Sequence, residues 1–233
     1  MNVSAVFVAA FVASAVETVG MVAIVAATPQ GEECGGAPAV ALDHRLPPHD
    51  QQTNPDPAKE DRAVEITEQI LADHHEQRRM FALLDELGGN PAQLGPVWER
   101  LTVLLEVHAD AEERLFYPRL LNVGTGSGGA DSAQDETKDA IRDHDDIRDG
   151  IRRSRQQSVG SSDWWRAVRD TRVANSDHMA EEEREALADF RQHADWQARH
   201  DLGIEFAVYE AAHASGVPLT DRDPDRYVSD HAR

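Results

Sequence analysis

The chain is short of cysteine, of basic residues and of alternating apolar runs, and each shortage removes a class of protein. Cys34 is the only cysteine among 233 residues, so there is no intrachain disulfide and no thiolate cluster for iron or zinc. Any bound metal must use imidazole and carboxylate. Lysine and arginine number 23 against 43 acidic residues, a net charge of −20. A surface that binds a phosphate backbone needs a basic excess, so nucleic acid is argued against as a partner. Acidity of this degree reads first as a solubility device. No HExxH occurs and no serine or cysteine nucleophile arrangement is visible, which leaves a zinc hydrolase poorly supported. No strand-like alternation appears either.

What is present begins with an apolar N-terminal stretch. Residues 1–27 are nearly long enough for a membrane span, but Glu17 interrupts them, at a cost of roughly 2 to 3 kcal/mol near a bilayer centre. The first basic residue is Arg45, so a signal peptide would lack its charged n-region even if Ala13-Ser14-Ala15 supplied a cleavage site. Three readings stay open: a stretch translated from a misplaced start, a poor signal peptide, or a weak anchor. A membrane partner is not favoured, and the expected location is cytoplasmic, subject to those residues. Residues 28–60 carry Pro29, Pro38, Pro47, Pro48, Pro55 and Pro57 among Gly, Gln and Asp, the composition of an unpacked linker.

From 61 to 215 the pattern is helical. Ile66, Ile70, His74, Phe81, Leu84 and Leu87 mark one face of a first helix, ended by Gly88-Gly89-Asn90-Pro91. Val97, Leu101, Leu104, Leu105, His108, Glu112 and Leu115 mark a second, expected to stop at Pro118. Ala140, Ile141, His144, Ile147 and Ile151 form the stripe of a third, and Trp165, Val168, His178, Glu182 and Phe190 that of a fourth. Long helices with short connections predict an all-α fold, an antiparallel up-down-up-down four-helix bundle. A short additional C-terminal helix is expected over Asp195–Ala214, and residues 216–233 read as a loose tail.

Within this frame His74, His108 and Glu112 recur as His144, His178 and Glu182, each shifted by the same 70 positions. These residue types bind borderline metals, and their repetition at one spacing points to a two-metal site. In HxxxE the two side chains lie one helical turn apart and project the same way, so His108 with Glu112, and His178 with Glu182, are chelating pairs. His74 and His144 are single ligands on the neighbouring helices. In a bundle all six meet in the interior, with the glutamates placed to bridge two ions. A lone histidine on an apolar face is usually a hydrogen-bonded core residue. Burying four histidines and two glutamates together, however, is very costly without a cation. His75 is rotated by about 100° from His74 and reads as surface. Tyr117, five residues after Glu112, reads as packing, with a hydrogen bond near the site as the alternative.

These segments resemble the hemerythrin-like proteins, also called the HHE cation-binding domain, over roughly Asp61 to Arg191. The likeness rests on Ile70-Leu71-Ala72-Asp73-His74, on His108 through Glu113 with Phe116-Tyr117-Pro118 after it, on Asp143-His144, and on His178 through Glu183. It implies two iron ions in an oxo- or hydroxo-bridged centre, with Glu112 and Glu182 bridging and His74, His108, His144 and His178 terminal; manganese and zinc rank behind iron. The family includes oxygen carriers, sensors of oxygen, nitric oxide, redox state or iron, some of them linked to stress responses, and members that decompose peroxide. Oxygen carriers place a fifth histidine four residues after the one matching His144, where this chain has Arg148. That departure resembles the four-histidine subgroup and puts reversible oxygen carriage in doubt. Glu113, Glu181 and Glu183 are candidates to complete the coordination but read more readily as a solvated acidic face. The expected function is therefore binding or sensing of iron, dioxygen, nitric oxide or redox state, with a peroxide-decomposing enzyme as the alternative. A ferritin-like site would need two ExxH pairs, and only Glu210-Ala-Ala-His213 fits.

Overall fold

The computed structural model describes residues 64–129 and 132–232; the N-terminal apolar stretch and the linker expected over 28–60 lie outside them. The described residues form helices α1 (Ile66–Glu86), α2 (Pro91–Ala111), α3 (Tyr117–Val123), α4 (Ala133–Arg155), α5 (Ser162–Arg184), α6 (Ala186–His193), α7 (Trp196–Ala212) and α8 (Pro224–His231), with a π-helical turn, Glu112–Phe116, joining α2 to α3. No strand occurs among the described residues. The protein is an all-α helical bundle whose four long helices, α1, α2, α4 and α5, carry the repeated residues. α7 packs as an additional helix against α1 and α2. None of the described helices is long and apolar enough to cross a membrane.

Local chemistry accounts for the helix ends. The side chains of Ser132, Ser161, Asp195 and Asp223 accept a hydrogen bond from a first-turn backbone N–H of α4, α5, α7 and α8, satisfying donors that the helix itself leaves free. Pro91 opens α2, where its missing N–H costs nothing. Asp189, fully buried on α6, accepts the backbone N–H groups of Thr125 and Gly126 and so ties down the connection between α3 and α4.

Three elements differ from the periodicity. The second long helix does not stop at Pro118, because the π turn resets the hydrogen-bonding register and Pro118 falls in the first turn of the new segment, α3, where no N–H is required. The fourth helix breaks at Glu185, whose φ of −111° and ψ of −80° are not helical, and α6 follows it. Finally, the stretch read as a loose tail contains α8, which packs against α4 with Tyr227 and Val228 buried. An eight-residue helix with two apolar anchors is too short to announce itself by period.

The core consists of two apolar clusters. One gathers Ile66, Ile70, Phe116, Leu120, Ile141, Leu187, Phe190, Leu202 and Phe206. The other gathers Phe81, Leu84, Trp98, Leu101, Leu105, Ile147, Ile151, Trp164 and Val168. Along α1 His74 falls between Ile70 and Phe81, and along α4 His144 falls between Ile141 and Ile147, so the repeated polar residues form a layer between the two. α4 and α5 approach closely at Gly150, where an added Cβ would lie 2.1 Å from Thr171 Oγ1. That hydroxyl is fixed by donating to the Ala167 carbonyl at 2.9 Å. Gly150→Ala is therefore expected to lower stability by about 1 to 3 kcal/mol through overpacking, despite the gain of about 1 kcal/mol in helix propensity. Denaturant unfolding reads this directly, and an increase in the midpoint would contradict the close approach.

Candidate metal centre

The four long helices, together with the first residue of the π turn, Glu112, deliver the repeated residues to one buried layer. His74, His108, Glu112, His144, His178 and Glu182 are all at most 4% exposed. His108 Nε2 lies 2.8 Å from Glu112 Oε1, and His144 Nε2 lies 3.2 Å from Glu112 Oε2. His74 Nε2 lies 3.2 Å from Glu182 Oε2, while His178 Nε2 sits 3.8 Å and 3.9 Å from the two glutamates. His144 and His178 face each other through their Nε2 atoms at 3.2 Å. The two glutamates thus stand between imidazoles contributed by different helices, and all six residues of the repeat are brought together. His75, rotated off this face, is exposed.

Hydrogen bonding leaves this layer unsatisfied. Nε2 of His74 and of His108, both carboxylate oxygens of Glu112 and Oε2 of Glu182 are buried without a hydrogen-bond partner. A protein interior rarely tolerates even one such atom, and here five converge. His74, Glu112, His178 and Glu182 each offer one ligand atom with all four within 4.8 Å of one another. Imidazole nitrogens and carboxylate oxygens so grouped are the donor types that hold a borderline cation. Without a metal, protons take over part of that charge. Burial alone would discharge His178, but Asp143, Glu112 and Glu182 outweigh it and push the ring up to about 10. His108 is held well above its ordinary value in the same way, burial being overcome by Glu112 and Asp73.

A second ring of carboxylates faces the far side of every imidazole. Glu183 Oε1 lies 2.9 Å from His74 Nδ1 and Glu113 Oε1 lies 2.9 Å from His144 Nδ1. Asp73 Oδ2 lies 3.4 Å from His108 Nδ1 and Asp143 Oδ2 lies 3.7 Å from His178 Nδ1. The 70-residue repeat therefore extends outward: Asp73 and Asp143 precede the single histidines, and Glu113 and Glu183 follow the chelating pairs. A carboxylate on Nδ1 fixes the tautomer and leaves the Nε2 lone pair facing the centre. The reading of Glu113 as part of a solvated face is corrected here, since it is only 1% exposed; the exposed Glu181 does fit that reading.

Arg148, in the place of a fifth histidine, is buried and pairs with carboxylates other than Glu112 and Glu182. Its guanidinium pairs with Glu113 Oε1 at 2.8 Å and Asp145 Oδ1 at 3.0 Å. The C-terminal segment joins the same network. Arg222 bonds Glu113 through Nε and Asp110 Oδ1 at 3.1 Å through Nη2, and the Tyr227 hydroxyl donates to the Glu113 backbone carbonyl. Burial raises Glu113, but His144 first, and then Arg148 and Arg222, hold it down at about 2.

Tyr117 is the residue whose place periodicity missed. In an α-helix a residue five positions on is rotated away, but the π turn closes an i to i+5 bond from the Tyr117 N–H to the Glu112 carbonyl and stacks the two residues. The Tyr117 hydroxyl donates to Glu182 Oε1 at 2.7 Å. Its own ionisation is pushed far upward by burial and by the charges of Glu182 and Glu112, so it stays a donor. α7 adds Phe206, edge-on to His108 at 5.9 Å, and brings Glu210 beside Asp73 and His108.

Comparison with protein families decides what this arrangement is. The hemerythrin HHE cation binding domain matches residues 65–212. The chain belongs to that family. Comparison with curated proteins and with solved structures returns no match. As a hemerythrin-like protein it is a metal-binding helical bundle, and the match spans the whole donor layer together with α7.

Among the supporting carboxylates, Glu113 and Glu183 occupy equivalent places but only Glu113 holds the C-terminal segment. Removing either by an alanine substitution is expected to weaken metal binding roughly 10- to 100-fold. Only Glu113→Ala should also speed amide exchange across 222–231. Equal exchange in the two variants would contradict the tether.

Proposed function

We propose that this hemerythrin-like protein holds two iron ions through His74, His108, Glu112, His144, His178 and Glu182, and binds or senses a small species: iron itself, dioxygen, nitric oxide or redox state. The observation that carries the reading is the convergence of five unpartnered buried donor atoms at the centre of the bundle. Iron bound there would supply a redox couple and a position open to a small ligand. The residues around it would orient the imidazoles through Asp73, Glu113, Asp143 and Glu183 and keep bulk water out with the two apolar clusters. A sensing role gains support from Glu113, which faces His144 with its side chain and anchors Arg222 and Tyr227. A change in His144 would be felt by the C-terminal segment, a ready-made output. Arg148 fills the place of the fifth histidine with a buried ion pair, which speaks against a dedicated oxygen carrier.

A peroxide-decomposing enzyme is the second reading, and Tyr117 is what favours it. Proton transfer at a buried centre needs a donor within hydrogen-bond reach, and the Tyr117 hydroxyl on Glu182 is one. Both readings require the same loading result. Anaerobic reconstitution is expected to give about two irons per chain, with His108→Ala losing metal; one zinc per chain, or metal content unchanged in that variant, would refute the site. Peroxide added to the iron-loaded protein then separates the classes. Sustained oxygen release that falls in Tyr117→Phe supports the enzyme, and a single stoichiometric oxidation supports the sensor.

A further inference from the structure

A site buried in the middle of a bundle must be filled from outside, and one cleft reaches it. Between α4 and α5, at the start of α6, a narrow cavity of about 10 Å³ is lined by Glu136, Asp139, Ala140, Asp143, His178, Glu181, Glu182, Glu185 and Ala186. That is room for a single water or a single ion. Two donors of the centre, His178 and Glu182, belong to its lining, and no basic side chain other than His178 does. Of its six carboxylates, Asp139 and Glu185 are paired by Arg142 and Arg184, and Asp143 faces His178 Nδ1 at 3.7 Å.

Glu136 is different from the rest. It is 5% exposed, its Oε1 accepts the Ser127 N–H at 2.8 Å, and its Oε2 is buried with no hydrogen-bond partner. Burial first, and then the charges of Asp189 and Glu185, push it up to about 7 despite the Ser127 bond. Its Oε2 is a buried oxygen free to take a cation. Glu181, exposed at the same cleft, has no ion-pair partner among the described residues, and Glu182 presents a second unpartnered oxygen, Oε2, at the centre.

We propose that this cleft is the uptake route of the centre, along which a divalent cation passes from Glu181 at the surface to Glu136 and then to Glu182 and His178. The proposal rests on the two-metal reading above. The physical case is stepwise ligand exchange. A hydrated divalent ion cannot shed its water in one step, and carboxylates spaced along a narrow path replace that water while the negative lining concentrates cations at the mouth. The neighbouring groove on α4 and α5, lined by Asp143, Asp146, Asp149, Asp170, Asp177 and Arg153, is also acidic, but apart from Asp143 none of its residues touches the centre's imidazoles and none of the six donors lines it.

The test is the rate at which metal-free full-length chain takes up cobalt(II), followed by the visible absorption of the imidazole- and carboxylate-ligated ion, with bound metal counted at the end. Glu136→Gln combined with Glu181→Gln is expected to slow uptake roughly tenfold and leave the final metal content unchanged. Asp146→Asn combined with Asp177→Asn removes the same number of carboxyl groups from the neighbouring groove and should leave the rate within about twofold of the parent. Equal slowing in both pairs would mean that uptake follows overall surface charge, and no slowing in either would mean that the ion passes elsewhere; both results overturn the route. A lower final content in the Glu136/Glu181 pair would make these residues ligands of the centre and overturn it too. Failure of the parent chain to take up any metal refutes the two-metal reading itself, a result distinct from normal filling at an unchanged rate.

Discussion

The structure depends on compensating one buried layer of charge. Glu112 and Glu182 stand in the interior of a helical bundle, between two apolar clusters, where an uncompensated carboxylate costs several kcal/mol. Four imidazoles surround them, and each turns its other nitrogen toward a further carboxylate. Such a ladder is half satisfied by protons and fully satisfied by cations. The depressed ionisation of Glu112, which His108, His144 and His178 enforce against its burial, and the raised values of His108 and His178 are two views of the same unmet demand. Metal uptake then displaces protons, which links affinity to pH and bundle stability to metal content.

The rest of the fold can be understood as support for that layer. The long helices place equivalent residues by a 70-residue repeat, and Gly150 lets two of them approach. The π turn departs from regular helix at Glu112. There it directs Tyr117 onto Glu182 and lets the chain pass Pro118 without a break. Arg148 and Arg222 extend the charge network outward from Glu113. The C-terminal segment is thereby held by the same carboxylate that orients His144, which gives a centre with few moving parts a connection to the surface.

Much of this was legible in the sequence, for a physical reason. Helical period and HxxxE spacing are local properties, so the four helices, their faces and the convergence of six residues followed from residue spacing, and the structure brings those six residues together. What stayed hidden depends on pairings between helices. Glu113 and Glu183 follow a ligand by one residue and so point about 100° off its face; only the position of the neighbouring helix shows that this direction meets an imidazole. Tyr117 was hidden by an assumption of regular helix, since a π turn carries no periodic signal. Arg222 and Tyr227 lie in a stretch with proline and aspartate and few apolar residues, and their anchoring rests on partners more than 100 positions away. The offset between Asp73 and Asp143 was visible, but its use, a carboxylate behind each chelating histidine, was not.

The central claim is that the six side chains hold two cations close together, not one cation or a network of shared protons. X-ray absorption on the iron-loaded protein measures this directly. The account predicts a shell of nitrogen and oxygen ligands together with a second iron within about 4 Å. A nitrogen and oxygen shell with no metal neighbour within that distance would contradict it.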